Sequence, residues 1–270
     1  MVLLAAFLHA SWNALLRGGS DRAQSMLIMN VTVGIAGLAM MAAAGLPSAA
    51  SALYMLASGL IHLVYNALLV RMYRSGDLGE TYPVARGSSP ALVALGGSLL
   101  AGEWMKLLGI VGVGLVCVGI FMLAVAKGRL RHMNLPATLA TGVSIAAYTV
   151  VDALGVRASE NWLGYTAAIF AFFIAVPLWF LARWGIAFFN APSSEVGKAA
   201  SGGLISLGAY GAIIWAMQAN AMGAVSALRE TSVVFAALLG AAFLGERLTG
   251  LRLAACCIIA AGAACVGWRS

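Results

Sequence analysis

Two arginines lie inside stretches of the sequence that are otherwise apolar enough to cross a lipid bilayer. Arg86 stands in the segment Tyr82-Pro-Val-Ala-Arg-Gly-Ser-Ser-Pro90, and Arg229 stands in a second apolar run. A charge at the centre of a membrane-spanning helix costs roughly 2.5 to 3.5 kcal/mol, so each guanidinium must face protein or a water-filled cavity, where it can attract a carboxylate. Pro83 and Pro90 flank Arg86 and free backbone carbonyls, which predicts an opened, kinked helix beside such a cavity.

Polar and aromatic side chains recur at helical spacing in other apolar runs. His9, Trp12 and Asn13 share one face of a helix, and a second His, aromatic, Asn pattern begins at His62. Side chains on such a face either form hydrogen bonds to a neighbouring helix or line a cavity. Because the pattern occurs on two helices, we favour a cavity. The predicted substrate-binding residues are His9, Trp12, Asn13, His62, Tyr65, Asn66, Tyr82, Arg86, Ser88, Tyr148, Asp152, Tyr210 and Arg229.

Acidic side chains are few inside the apolar runs. Asp152 lies one helical turn from Tyr148, and an acid in such a place can carry a proton or pair with an arginine. Glu230 directly follows Arg229 and could pair locally with an arginine. Successive residues of a helix point in different directions, so Arg229, Glu230 and Thr231 are not expected to face one partner. Arg229 is therefore the better cavity residue of the three.

Composition and spacing place all these residues in a membrane protein. Of 270 residues, 62% are hydrophobic and only 9% are charged, whereas charged residues approach a quarter of a soluble domain. Apolar runs of about twenty residues, enough to span roughly 30 Å of hydrocarbon, recur along the whole chain. The ten runs are Met1–Leu16, Ala23–Ala44, Ala49–Val70, Leu78–Ala101, Leu107–Ala126, Pro136–Val156, Trp162–Leu181, Val196–Gln218, Ala221–Leu244 and Leu253–Trp268. We interpret the first as a spanning helix rather than a cleavable signal peptide.

The basic residues indicate orientation. Loops after odd-numbered runs hold eleven Lys and Arg residues and the opposite side holds three, so the positive-inside rule predicts cytoplasmic odd loops and both termini outside. Although the net charge is +7, the basic residues are scattered and form no patch, so no nucleic-acid partner is expected.

Trp162 and Tyr165 begin the seventh run and are assigned to the aromatic belt at the membrane interface.

The second half of the sequence repeats the first. Moving the sequence by 143 positions sets Arg86 on Arg229 and Gly102-Glu103 on Gly245-Glu246. Because each half has five runs, the halves insert with opposite orientation, as in secondary transporters whose site lies at the repeat interface. The predicted fold is an all-α membrane protein of ten transmembrane helices in two inverted five-helix repeats, residues 1–130 and 131–270. Glu103 and Glu246, in the two Gly-Glu turns, are expected to be solvated or capping carboxylates.

Enzyme signatures are absent from the sequence. It contains no His-Glu-x-x-His, Gly-x-Ser-x-Gly or phosphate-loop motif, and its four cysteines lack metal-ligand spacing, so no cofactor or metal is expected. An intramembrane hydrolase remains an alternative, with Ser88 and either His9 or His62 as its candidate pair. The glycines of Gly109-Ile-Val-Gly112-Val-Gly114 suit close helix contact or dimerisation, so a monomer or a homodimer is expected.

At these residues the sequence resembles the drug/metabolite transporter superfamily, in its ten-helix form built from two EamA-type repeats. The resemblance covers the whole chain and is carried by His9-Ala-Ser-Trp-Asn13, by Tyr82–Pro90 and by the Gly-Glu turns at 102–103 and 245–246. It implies a multi-pass protein of the bacterial inner membrane that exports amino acids, notably aromatic ones, or related metabolites. Family members are often described with cytoplasmic termini, which opposes the orientation predicted from charge.

We expect such an exporter to work by alternating access on a small-molecule substrate within the bilayer. The arginines would attract a carboxylate, Asn13 and Asn66 would bond backbone-like groups, and four aromatic side chains, Trp12, Tyr65, Tyr148 and Tyr210, would line an apolar pocket. Transport would follow the substrate gradient, with proton coupling through Asp152 as an option. The alternative of cationic-drug efflux requires an exposed acid in the cavity, for which Asp152 and Glu230 are the only inner candidates.

Overall fold

The structure, a computed structural model, describes residues 1–17, 22–75, 78–125, 134–185, 191–243 and 248–268, and in 16–17, 22–23, 69–75, 78–82, 125, 184 and 243 it describes the backbone only. Within these ranges the chain is helical and contains no strand. The helices are α1 (Val2–Arg17), α2 (Arg22–Ala44), α3 (Ala52–Ser75, after a short 3-10 helix Ala49–Ser51), α4 (Leu78–Ala101), α5 (Leu107–Val125), α6 (Leu135–Ala158), α7 (Trp162–Phe172), α8 (Ala175–Trp184), α9 (Ser193–Met217), α10 (Met222–Arg229), α11 (Ser232–Phe243) and α12 (Gly250–Gly267).

The helices have the length and surface of membrane spans. Eight spans of the described chain, counting α7 with α8 and α10 with α11, are long and apolar enough to cross a bilayer, and α1 is a shorter apolar helix. The outer surface is apolar too, with Leu53, Leu99 and Leu107 each more than 70% exposed. Helices satisfy their own backbone groups, as lipid requires. The prediction of an all-helical membrane protein is confirmed, and each predicted run coincides with one helix or two consecutive helices.

Two of the spans are interrupted, but not the one that the sequence predicts. The seventh run is divided between α7 and α8, and the ninth is divided between α10, which ends at Arg229, and α11, which begins at Ser232. In contrast, α4 continues through Pro83 and Pro90 to Ala101. The predicted opening of the backbone at Arg86 is therefore wrong. Each proline removes one hydrogen bond, and packing of α4 against α5, α6 and α10 holds the helix across that loss.

Part of the helix packing follows a symmetric pattern, to which the extensive α2–α9 and α4–α5 contacts do not belong, because their counterparts are smaller. The contacts that follow the pattern join α5 to α12, α2 to α7, α4 to α10, α4 to α6, α1 to α11, α3 to α6, and α1 to α9. Each predicted run of the first half has a counterpart five runs later in the second half. When every run is replaced by its counterpart, the first three of these helix pairs stay the same. The α4–α6 pair then maps onto the α1–α11 pair, and the α3–α6 pair maps onto the α1–α9 pair. This pattern is expected of two five-helix units related by a two-fold axis, and the division into 1–130 and 131–270 stays a prediction.

Glycines bring α5 and α12 into close contact. A Cβ at Gly112 would lie 2.7 Å from the carbonyl oxygen of Gly262, and a Cβ at Gly119 would lie 2.6 Å from Ile259 Cγ1. Small residues let helix backbones approach in this way inside membranes. The Gly-rich face of the fifth run is thus used within the chain, and Gly114 on the same helix has nothing within 4 Å of its Cβ position.

Replacing Gly112 by alanine is expected to destabilise the protein by about 1 to 3 kcal/mol, because the added methyl group meets backbone that cannot move away easily. Gly114→Ala is the matched control, since both changes add one methyl group to the same helix and gain the same helix propensity. Thermal unfolding of the two variants in detergent should show a lower Tm for Gly112→Ala only. Equal Tm values would show that the α5–α12 contact relaxes without cost.

Candidate functional site

A cavity lies between α1, α3, α4, α6, α9 and α10. Its volume, measured as the space that the centres of water-sized spheres can reach, is about 60 Å³. One water needs roughly 10 to 15 Å³ on this measure, so the cavity holds a few waters. A ligand of amino-acid size requires the surrounding helices to separate. The predicted residues that line the cavity are His9, Trp12, Tyr65, Arg86, Tyr148, Tyr210 and Arg229.

The charged wall of the cavity is built on an ion pair between α4 and the break after α10. Arg86 Nε donates to Glu230 Oε2 at 2.7 Å, and Arg86 Nη2 donates to Glu230 Oε1 at 2.9 Å. Arg86 is 5% exposed and Glu230 is fully buried. A bidentate contact of this kind is strong and directional, and buried charges need it to offset their desolvation. The pair ties the two halves of the chain together.

Arg229 belongs to the same cluster. Its Nε donates to Glu230 Oε1 at 3.4 Å, whereas its Nη2 has no hydrogen-bond partner although the residue is 4% exposed. The expectation that Arg229 and Glu230 point in different directions is therefore wrong. The helix ends at Arg229, so the backbone turns there and the two side chains approach each other. One carboxylate thus contacts two guanidinium groups.

His9 completes the polar wall and is approached by two donors. Arg86 Nη1 contacts His9 Nε2, and Trp12 Nε1 donates to His9 Nδ1 at 3.3 Å. A neutral imidazole accepts at only one nitrogen, so it cannot satisfy both donors at once. Asn13 takes no part in this wall, because its side-chain amide donates to the His9 carbonyl oxygen at 2.8 Å within α1.

The opposite wall is aromatic and is held from behind by Asp152. The Tyr210 hydroxyl donates to Asp152 Oδ2 at 2.5 Å, and the Tyr165 hydroxyl donates to Oδ1 at 3.3 Å. Asp152 is 1% exposed and does not line the cavity. His62 also lies behind this wall, stacked on Tyr148 with ring centroids 4.1 Å apart. Buried hydroxyls need partners, and Asp152 supplies them for two tyrosines.

Tyr165 is the clearest residue that the sequence misplaces. It was predicted in the aromatic belt at the membrane interface. Its side chain on α7 is instead fully buried and contacts α6. The cause is Gly155 on α6, where a Cβ would lie 2.1 Å from the Tyr165 hydroxyl oxygen. The missing side chain lets the ring reach Asp152. A Gly one turn after an intramembrane acid is the only sequence signal for this contact.

Two further predicted residues, Asn66 and Ser88, are not among the residues that line the cavity. Asn66 donates to the His62 carbonyl oxygen at 2.8 Å, and Ser88 Oγ donates to the Ala85 carbonyl oxygen at 3.2 Å, so both satisfy their own helices. The side chain of Tyr82 lies outside the described residues, as does Glu246. Substrate binding by the lining residues stays a prediction.

A second polar cluster closes one end of the bundle. Glu103, in the link from α4 to α5, pairs with Arg157 Nη2 at 2.5 Å and accepts from the Met222 backbone N–H at 2.8 Å. Arg157, near the end of α6, also donates to the carbonyl oxygens of Met217 and Asn220, at 2.8 Å and 2.9 Å. Glu103 is therefore a capping carboxylate, but it caps α10 rather than its own helix.

Apolar helices around a buried, charged cavity define a polytopic helical membrane protein. Residues 135–268 match the EamA-like transporter family. Members of that family are membrane transporters rather than enzymes.

A solved structure titled only "Crystal structure of protein" has a TM-score of 0.80 and 20% identity over 100% of this chain and 98% of its own. At that identity it shows the fold alone. No curated protein sequence matches the chain.

Proposed function

We propose that the protein is a secondary transporter that exports amino acids, aromatic ones among them, or related small metabolites across the bacterial inner membrane by alternating access. The observation that carries the proposal is a cavity lined by Arg229, whose buried Nη2 has no hydrogen-bond partner, and by four aromatic side chains. Such a cavity fits a ligand with a carboxylate at one end and an apolar group at the other. Export as the direction comes from the sequence resemblance.

Alternating access is supported by the packing and by the size of the cavity. The symmetric part of the helix contacts is expected if the predicted repeats, residues 1–130 and 131–270, rock against each other. The cavity of about 60 Å³ has room for only a few waters, so loading a larger substrate requires the surrounding helices to separate. Residues from both predicted repeats line the cavity, as expected for a site at the repeat interface.

The two arginines are proposed to have different roles. Arg86 lines the cavity, but its Nε and Nη2 are bonded to Glu230, so we assign it mainly to positioning that carboxylate. Arg229 keeps one nitrogen without a hydrogen-bond partner and is proposed as the contact for the substrate carboxylate. Trp12, Tyr65 and Tyr210 would surround the apolar part of the substrate.

The alternatives are disfavoured by the positions of the acids and of Ser88. Cationic-drug efflux requires an acid in the cavity, yet Glu230 and Asp152 do not line it and each accepts hydrogen bonds at both oxygens. A Ser88–His pair is not formed among the described residues, since Ser88 bonds Ala85 and His62 bonds Ser58.

Uptake into liposomes tests the proposed function. Purified protein should take up apolar or aromatic members of a panel of labelled amino acids and related carboxylates, with saturation. Arg229→Gln should lower that uptake about tenfold or more, because the substrate carboxylate loses its charged donor. Lys198→Gln is the control, since Lys198 is 55% exposed in a surface pair with Glu195 and should leave uptake unchanged. Uptake no higher than in empty liposomes for every compound would refute the proposal.

A further inference from the structure

We propose that the preferred substrate is an aromatic or apolar monocarboxylate without an ammonium group beside the carboxylate. This inference rests on the proposed function, because it narrows the substrate of the same cavity. It follows from which charged groups line the described cavity wall and from which acidic oxygens nearby already accept hydrogen bonds.

Both charged residues that line the cavity are hydrogen-bond donors. They are Arg86 and Arg229, and Arg229 Nη2 is buried and has no hydrogen-bond partner. A buried donor without an acceptor costs free energy, so a ligand that brings acceptors is favoured at this wall. A carboxylate brings two oxygens with about four lone-pair positions and no donor.

The carboxylates near the cavity, in contrast, already accept hydrogen bonds from protein side chains. Both oxygens of Glu230 accept from Arg86, and one of them also accepts from Arg229. Both oxygens of Asp152 accept from tyrosine hydroxyls, and Tyr210 stands between this carboxylate and the cavity. Neither acid is among the residues that line the cavity.

An ammonium group would therefore enter a cavity whose charged lining residues, Arg86 and Arg229, are donors. It carries three N–H groups and no acceptor, and the described lining offers it only hydroxyl oxygens and ring faces. Ring faces attract a cation but accept no N–H bond of normal strength. Net charge does not separate the two ligands, since Arg86, Arg229, Glu230 and Asp152 together hold two positive and two negative charges. The balance of donors does separate them.

Three compounds with one phenethyl skeleton test the inference. 3-Phenylpropanoate carries the carboxylate alone, phenylalanine carries both groups, and phenethylamine carries the ammonium alone. Uptake of each labelled compound into liposomes that contain the full chain is measured at mildly alkaline pH, with uptake into empty liposomes subtracted to remove passive permeation. We expect 3-phenylpropanoate to be taken up at least about tenfold faster than phenylalanine, with no saturable uptake of phenethylamine.

The outcomes distinguish this inference about the substrate from the proposed transport function. Saturable uptake of phenylalanine at an equal or higher rate than 3-phenylpropanoate overturns this inference and leaves the proposed amino-acid transporter standing. Preferred uptake of phenethylamine overturns both and favours a cation carrier. Uptake of none of the three overturns this inference, and the panel of amino acids and related carboxylates then decides the proposed function. Arg229→Lys should retain part of the preference for 3-phenylpropanoate and Arg229→Gln should lose it, which ties the preference to the charge at this position.

Discussion

Replacing Glu230 by glutamine is expected to destabilise the protein by about 3 to 5 kcal/mol, more than any other single substitution at the cavity. Glu230 is fully buried and is the acidic partner of both Arg86 and Arg229. Without its charge, two buried guanidinium groups would face each other in a medium where like charges repel strongly. Arg86→Gln should cost less, because Arg229 and Glu230 still form one balanced pair.

A double variant distinguishes a loss of charge balance from a loss of packing. In the Glu230→Gln background, a second change of Arg86 to glutamine should restore part of the stability, since it removes one of the two unpaired charges. Thermal unfolding in detergent of the two single variants and the double variant measures the coupling. Lys198→Gln is the control, because Lys198 is 55% exposed and its pair with Glu195 contributes about 1 kcal/mol or less. A double variant less stable than Glu230→Gln would show that the cluster is not balanced by charge.

The helices of this protein could be predicted from the sequence, because lipid permits few alternatives. An apolar run must form a helix in a bilayer, so the predicted run Leu78–Ala101 and the observed α4 have the same ends. The cavity could be predicted in part for a related reason, since polar side chains in such runs must face one another. His9 and Tyr65 were found in this way, by helical spacing alone.

Local pairing of Glu230 with an arginine was predicted and is confirmed by its contact with Arg229. The pairing of Glu230 with Arg86 could not be predicted, because the two residues are distant in the sequence. Moving the sequence by 143 positions sets Arg229 on Arg86 but sets Glu230 on Gly87, so the predicted first repeat gives no sign of the acid. One carboxylate from the predicted second repeat therefore contacts the arginines of both. The interruption of the ninth run, which makes this possible, has no proline in the sequence between Arg229 and Ser232 to predict it.

Replacing Glu103 by alanine is expected to loosen the closed end of the bundle, where the carboxylate pairs with Arg157 and caps α10 at Met222. Loss of a helix cap costs about 1 kcal/mol, and a partly exposed ion pair adds up to about 1 kcal/mol more. Together these terms correspond to at least about tenfold faster hydrogen exchange, since roughly 1.4 kcal/mol is a factor of ten. The effect should be confined to the ends of α9 and α10, from Met217 to Ala224.

Hydrogen-exchange mass spectrometry of the protein in detergent measures this opening. Glu160→Ala is the matched control, because Glu160 is an exposed acid in the link that follows α6 at the same end of the bundle. If alternating access opens this end, Glu103→Ala should also change the rate of uptake, because the carboxylate joins the α4–α5 link of the first half to α6 and α10 of the second. Exchange that is the same in the Glu103 and Glu160 variants would show that the α9–α10 end is held by apolar packing instead.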